Sequence, residues 1–195
     1  MTDFARLMSD YFVKYLAGQK GSGSNTMKTY RDTFVQLLEF MDEKKHIRAD
    51  CIEVDSFSYD IINEFLEYLE KEKRVSISTR NNRLAAIRSF FKYTGYHEPK
   101  YLNISTSIRE ISKKKTEGRQ MNYLSVNAME HFLNSFDKTD HKELRCFCIV
   151  LLLYESGARV TELCNVRRYD LHLEKPYTMI LHGKGDKIRS VPLDG

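Results

Sequence analysis

Long apolar runs are missing from this chain. The longest, CFCIVLLLY, occupies Cys146 to Tyr154, far short of the roughly 18 residues that a membrane span needs. No spanning helix is expected, and the chain reads as soluble and globular. The amino terminus, MTDFARLMSDYF, is charged from its third residue and leads into no apolar stretch with a cleavage site. It does not have the form of a signal peptide, so a cytoplasmic address is expected. Cysteine is scarce too: the spacing of Cys51, Cys146, Cys148 and Cys164 suits neither a zinc site nor a secreted disulfide scaffold. Metal and redox roles are not expected, and Cys146, Cys148 and Cys164, set in apolar helical patterns, are expected to act as small buried hydrophobes. Internal repeats, low-complexity tracts and a phosphate loop of the G-x-x-x-x-G-K-[ST] type are likewise absent.

What is present is an uneven distribution of charge. The net charge of +4 divides into −4 over residues 1–73 (ten Lys and Arg against fourteen Asp and Glu), +8 over residues 74–123 and zero over residues 124–195. A basic middle between less charged flanks suggests an anionic polymer passing that region, although an uneven solvated surface would give the same count.

Four segments in roughly the first hundred residues repeat apolar side chains at helical spacing. The first carries Phe4, Leu7, Met8, Tyr11, Phe12, Tyr15 and Leu16 and ends at Gly18. After the loop GQKGSGSN, the second carries Met27, Tyr30, Phe34, Leu37, Leu38 and Met41. The third opens at Ser58, an N-cap residue, and buries Ile61, Ile62, Phe65, Leu66 and Leu69. The fourth puts Leu84, Ile87, Phe91 and Thr94 on one side and Asn81, Arg88, Ser89 and Lys92 on the other. Together they predict a small helical bundle over residues 1–112. Lys113 to Asn122, rich in lysine and without an apolar period, reads as a basic interdomain linker. Residues 123–195 follow as a second domain. Ser125 caps a helix carrying Ala128, Met129, Phe132 and Leu133, and a helix from about Glu143 to Glu155 is expected to be buried on most sides. The pattern then turns to strands, with YTMILHG and KIRSVPL flanking a glycine-containing turn, GKGD. The fold class is therefore mainly α with a small β-hairpin or sheet.

Two motifs in the second domain carry chemistry. In GARVTEL, Gly157 closes the apolar helix and Arg159 stands at the junction to the next one, where its guanidinium offers a planar fork of donors suited to phosphate oxygens. In GKGDKIRSVPL, Lys184 lies on the hairpin between two glycines, exposed enough to donate a proton to a leaving oxygen. In order and spacing the pair resembles the tyrosine recombinase (phage integrase) family, and IINEFLEYL with STRNNRLAAIRSFFKYTGY resembles that family's SAM-like four-helix core-binding domain, which clamps DNA. The resemblance covers almost the whole chain. It implies that Arg159 holds the scissile phosphate, that Lys184 is the general acid protonating the leaving 5′-oxygen, and that Glu162 is a supporting acid orienting the site. It further implies DNA contacts by Arg88, Lys92, Lys113, Lys114, Lys115, Lys187 and Arg189. Double-stranded DNA is the implied partner, with self-association on DNA as in the family's recombinase tetramer and no cofactor.

The sequence also departs from the family's pattern. None of His46, His97, His131, His141, His172 and His182 is followed three residues later by arginine, so an H-x-x-R box is absent. The last tyrosine is Tyr177, which precedes Lys184, so none stands where the family's nucleophile follows the lysine. A partial catalytic domain over residues 123–195, inactive by itself, is the expectation, and three readings stay open. The chain is a recombinase fragment that binds DNA without the chemistry, a non-catalytic regulator occupying recombination sites, or a structural helical protein.

Overall fold

A computed structural model describes residues 1–195 other than 22, 117, 119–121, 184, 186 and 194–195. The chain divides into two compact units, Met1–Arg119 and Gln120–Gly195.

The first unit is a helical bundle: α1 (Asp3–Asp10), continuing without a break as a π-helical stretch (Tyr11–Gln19), α2 (Ser24–Lys45), α3 (Tyr59–Lys71), α4 (Ile77–His97) and α5 (Leu102–Glu110). Side-chain oxygens set the starts of three helices. Thr2 accepts from the Ala5 amide, Ser58 from Ile61 and Ser76 from Thr79, each satisfying one of the free N–H groups of a first turn. The π-stretch closes on a hydrogen bond from the Lys20 amide to the Tyr15 carbonyl at 2.8 Å, one residue wider than an α-turn.

The core is aromatic. The Phe90 ring, fully buried on α4, lies 5.3 to 5.5 Å from the rings of Phe4, Tyr11, Phe34 and Phe91, largely in the edge-to-face arrangement that the ring quadrupole favours. Leu84, Ile87, Phe91 and Thr94 are all buried, on the side of α4 that the apolar spacing assigns to the core. The periodicity gives no sign of Arg80, which is buried on the same helix beside Glu70. Its Nε stands 3.3 Å from Oε1, close but not aligned as a hydrogen bond, and its Nη1 donates to the Ser112 carbonyl.

Helices α4 and α5 pack tightly at Gly95, where an added Cβ would lie 2.6 Å from both Cβ and Oγ of Ser105. Ser105 has little freedom to move, because its hydroxyl donates to the Phe91 carbonyl at 2.6 Å. Gly95→Ala is therefore expected to destabilise the first unit by about 1–3 kcal/mol, the usual cost of overpacking. A urea midpoint equal to that of the parent would show that α5 yields freely.

The second unit contains α6 (Val126–Asn134), α7 (His141–Ser156), α8 (Val160–Cys164) and a three-stranded antiparallel sheet in the order β1 (Leu171–His172), β2 (Thr178–His182), β3 (Ile188–Pro192). Ser125 caps α6 by accepting from the Ala128 amide, and Gly157 closes α7 in the left-handed region at φ 57°, a conformation glycine adopts without steric cost. β2 and β3 form the expected hairpin, in a register that places Leu181 opposite Arg189 and His182 opposite Ile188. The additional strand β1 pairs with the other edge of β2.

Two expectations are corrected here. No residue of α7 among those described is fully buried, and Ile149 and Tyr154 are 40% and 50% exposed. All four cysteines are exposed as well. The reason is shared: apolar spacing states which face a helix would bury but not whether a partner covers it. Around α7 the packing is thin, with Phe147 meeting Phe136 at 6.1 Å and Phe136 meeting Phe132 at 5.2 Å. The fully buried side chains described in this unit are Glu162, Asp170, Met179 and Leu181, so two of the four are carboxylates.

Candidate nucleic-acid site

In the first unit the exposed side of α4 is one wall of a basic hollow of about 500 Å³. Lys20 from the end of the π-stretch, Arg88 and Lys92 from α4, Arg109 from α5 and Lys113 beyond it line it, together with Tyr15, Tyr30 and Ser89, and none of the lining residues is a carboxylate. The Arg88 Nη2 donates to the Arg109 carbonyl, while its Nε is buried with no hydrogen-bond partner among the described residues. Five cations converging without a counter-charge produce the potential of an anion site. Sequence reasoning singles out three of them, Arg88, Lys92 and Lys113. Lys20 and Arg109 it does not, because they come from other elements and share no period with α4.

The remaining linker lysines are placed differently. The amide of Lys114 donates to Asn81 Oδ1 at 3.1 Å, its carbonyl accepts from Asn81 Nδ2 at 2.8 Å, and its ammonium pairs with Glu70 at 2.8 Å. Asn81 therefore pins the backbone at Lys114 to α4. Lys115 is exposed.

In the second unit the site is organised by a buried carboxylate. Arg159 is the N-cap residue of α8, and Glu162 stands three positions into the turn, where a glutamate can reach back to the cap's N–H. Glu162, only 4% exposed, accepts the Arg159 amide at Oε2 (3.1 Å), Arg159 Nη1 at Oε1 (2.7 Å) and Arg189 Nη2 from β3 at Oε2 (2.7 Å). These bonds, that of Arg189 first, then the Arg159 amide and the Arg159 guanidinium, hold the Glu162 carboxyl at about 2, below its ordinary 4.5. Because the folded value is the lower one, the stability this carboxylate contributes is complete above about 4.5 and is lost as pH falls through about 2. The Arg159 side chain remains 72% exposed, anchored by one nitrogen with most of its surface turned to solvent.

The hairpin packs onto this carboxylate. An added Cβ at Gly183 would lie 3.1 Å from Glu162 Oε1 and 3.3 Å from the Lys187 carbonyl, which also accepts the Gly183 amide at 2.7 Å. Gly185 takes φ 75°. Lys187 is exposed, and Lys184 lies outside the described residues. A second pair that sequence reasoning misses stands nearby. His182 Nε2 is 3.2 Å from Oδ1 of the buried Asp170, whose Oδ2 accepts the Arg167 amide at 2.8 Å. The Arg167 amide and, to a lesser degree, His182 lower the Asp170 carboxyl below its usual range.

Fold and site together define a class: a helical bundle bearing a basic hollow, followed by a unit in which a helix-start arginine and a strand arginine share one buried glutamate beside a glycine-flanked turn. Comparison with known proteins gives that class its family. Residues 10–99 match the phage integrase N-terminal SAM-like domain and residues 122–194 match the phage integrase family. The chain is 30% identical over 189 residues to tyrosine recombinase XerD of Listeria innocua and 28% identical over 187 residues to tyrosine recombinase XerC of Staphylococcus aureus. These alignments cover 94% and 95% of this chain but 59% and 58% of the relatives, so the chain spans less than two thirds of their length. Among solved structures, the XerH site-specific recombinase bound to palindromic difH substrate matches with a TM-score of 0.65 at 23% identity, over 95% of this chain and 53% of that one. The chain belongs to the tyrosine recombinase (phage integrase) family.

Proposed function

We propose that this chain binds double-stranded DNA as the core-binding domain and the leading part of the catalytic domain of a site-specific recombinase. The observation that carries the reading is the exposed Arg159 guanidinium held by the buried Glu162 beside the hairpin, a preorganised donor for a phosphate oxygen. The hollow supports it, with Lys20, Arg88, Lys92, Arg109 and Lys113 as phosphate contacts that fix register on the duplex. Lys115 and Lys187 add exposed charge. Lys184 is the proposed general acid, on the strength of the GKGDKIRSVPL motif. The relatives' names support a recombination role, and the palindromic difH substrate bound in the XerH structure supports a duplex partner. Self-association on DNA and a cytoplasmic location belong to the same reading.

No tyrosine follows Tyr177 in this sequence, and a phosphotyrosyl intermediate needs a hydroxyl in line with the phosphate. The 195-residue polypeptide is therefore expected to bind duplexes recovered from a random pool by repeated selection, and to give no covalent adduct with nicked versions of them on a denaturing gel. Failure to enrich any duplex would refute the binding assignment. An adduct abolished by changing one tyrosine would instead show that the chain carries its own nucleophile, and would overturn the non-cutting half.

A further inference from the structure

Arg159 and Glu162 make an ion pair whose formal charges cancel. Left alone, the carboxylate would offset much of the attraction that the guanidinium could exert on an anion. Arg189 changes that balance. Reaching from the start of β3, 27 residues away in sequence, it places Nη2 2.7 Å from the carboxylate oxygen that also accepts the Arg159 amide. The three side chains then carry a net single positive charge, and the most exposed member, through which most of that charge faces solvent, is Arg159, at 72% against 40% for Arg189. Gly183 approaches the other oxygen of the same carboxylate, where an added Cβ would lie 3.1 Å from Oε1.

We infer that Arg189 is a positioning residue that acts through Glu162: it takes up the carboxylate's charge and fixes its orientation, leaving Arg159 free to bind a phosphoryl oxygen. This rests on the reading of Arg159 as a phosphate ligand. It assigns the half-buried Arg189 a task at the buried Glu162 carboxylate instead of, or before, any contact with DNA. A neutral substitution of Arg189 should damage phosphate binding at a residue it does not touch, and that damage should be relieved by neutralising Glu162.

The test uses the full 195-residue chain with inorganic phosphate as the probe, following the Arg159 side-chain N–H signals by NMR. Arg189→Met, which keeps the apolar stem, is expected to weaken the phosphate response at Arg159 about tenfold, the size expected for one charge-assisted contact. In the same variant the Glu162 carboxyl should titrate well above about 2, moving toward its ordinary 4.5. Arg189→Lys, which keeps the charge, should restore most of the response. The double variant Arg189→Met with Glu162→Gln should bind phosphate more tightly than Arg189→Met alone, because no uncompensated carboxylate remains. A residue that merely held the hairpin together would give losses that accumulate, so a double variant no better than Arg189→Met overturns the inference. So does an Arg189→Met chain that binds like the parent. If Arg189→Met disrupts the backbone spectrum of the hairpin, Arg189→Lys alone decides: a tenfold loss in a folded lysine variant sinks the charge-compensation argument, and a near-parental response upholds it. A parent chain whose Arg159 ignores phosphate altogether would instead refute the phosphate-ligand reading on which the inference stands.

Discussion

Raising the salt from about 50 to about 200 mM is expected to weaken duplex binding by roughly 500-fold, since each neutralised phosphate releases close to one condensed counterion. The figure follows from the hollow. Lys20, Arg88, Lys92, Arg109 and Lys113 converge with no lining carboxylate, and these five contacts by themselves give a slope of about −4.5 in log affinity against log salt, which a phosphate held by Arg159 can only steepen. Fluorescence anisotropy over a salt series measures that slope directly. Replacing Lys92 by glutamine should make it shallower by about one unit and weaken all duplexes alike, because phosphate contacts position without reading sequence. Lys114 provides the internal control. Its ammonium is already paired with Glu70, so Lys114→Gln should change the slope much less. A slope near zero would mean that the hollow is not where the duplex lies.

Phe90→Ala is expected to cost the first unit about 3–5 kcal/mol, the range for deleting a large buried aromatic side chain. Phe90 is fully buried and its ring touches those of Phe4, Tyr11, Phe34 and Phe91, which derive from three helices, so no single element can collapse to fill the space. Set against the roughly 5–15 kcal/mol that holds a whole domain together, the loss is large. Urea unfolding followed by far-ultraviolet circular dichroism would show it as a fall in midpoint at nearly constant slope. A change below about 1 kcal/mol, the cost of losing little more than one buried methylene, would show that this core is loosely packed and that the ring contacts do not hold it.

Much of this architecture is legible in the sequence because it is local. Ser58, Ser125 and Gly157 mark helix ends through contacts spanning only a few residues, and the apolar spacing of α4 names its buried face. The hairpin is legible for the same reason, and the GARVTEL and GKGDKIRSVPL motifs lead to the right family. The rest depends on what comes together from a distance. Arg80 is buried because Glu70 and the Ser112 carbonyl are waiting for it, and neither is visible in the period of its own helix. The bond between Glu162 and Arg189 joins residues 27 apart, with β1, β2 and their connecting turns between them. Lys20 and Arg109 join Arg88 and Lys92 only after the first unit has folded. The one residue class that periodicity misjudged outright is the apolar face of α7 with its cysteines, where the spacing records a demand for burial that the packing described around it does not meet.

That unequal burial has a calorimetric consequence. The increase in heat capacity on unfolding comes chiefly from apolar surface newly exposed to water. In the first unit an aromatic core is fully sequestered; in the second, Met179 and Leu181 are the only fully buried apolar side chains among those described, and α7 already meets solvent before any unfolding begins. Per residue, melting the second unit should therefore change the heat capacity less than the roughly 12–15 cal/mol/K typical of globular domains, and its stability should vary with temperature along a flatter curve. Cooling would weaken the first unit's grip on its core while leaving the second, held around Glu162 and Asp170 by hydrogen bonds and charge, comparatively indifferent.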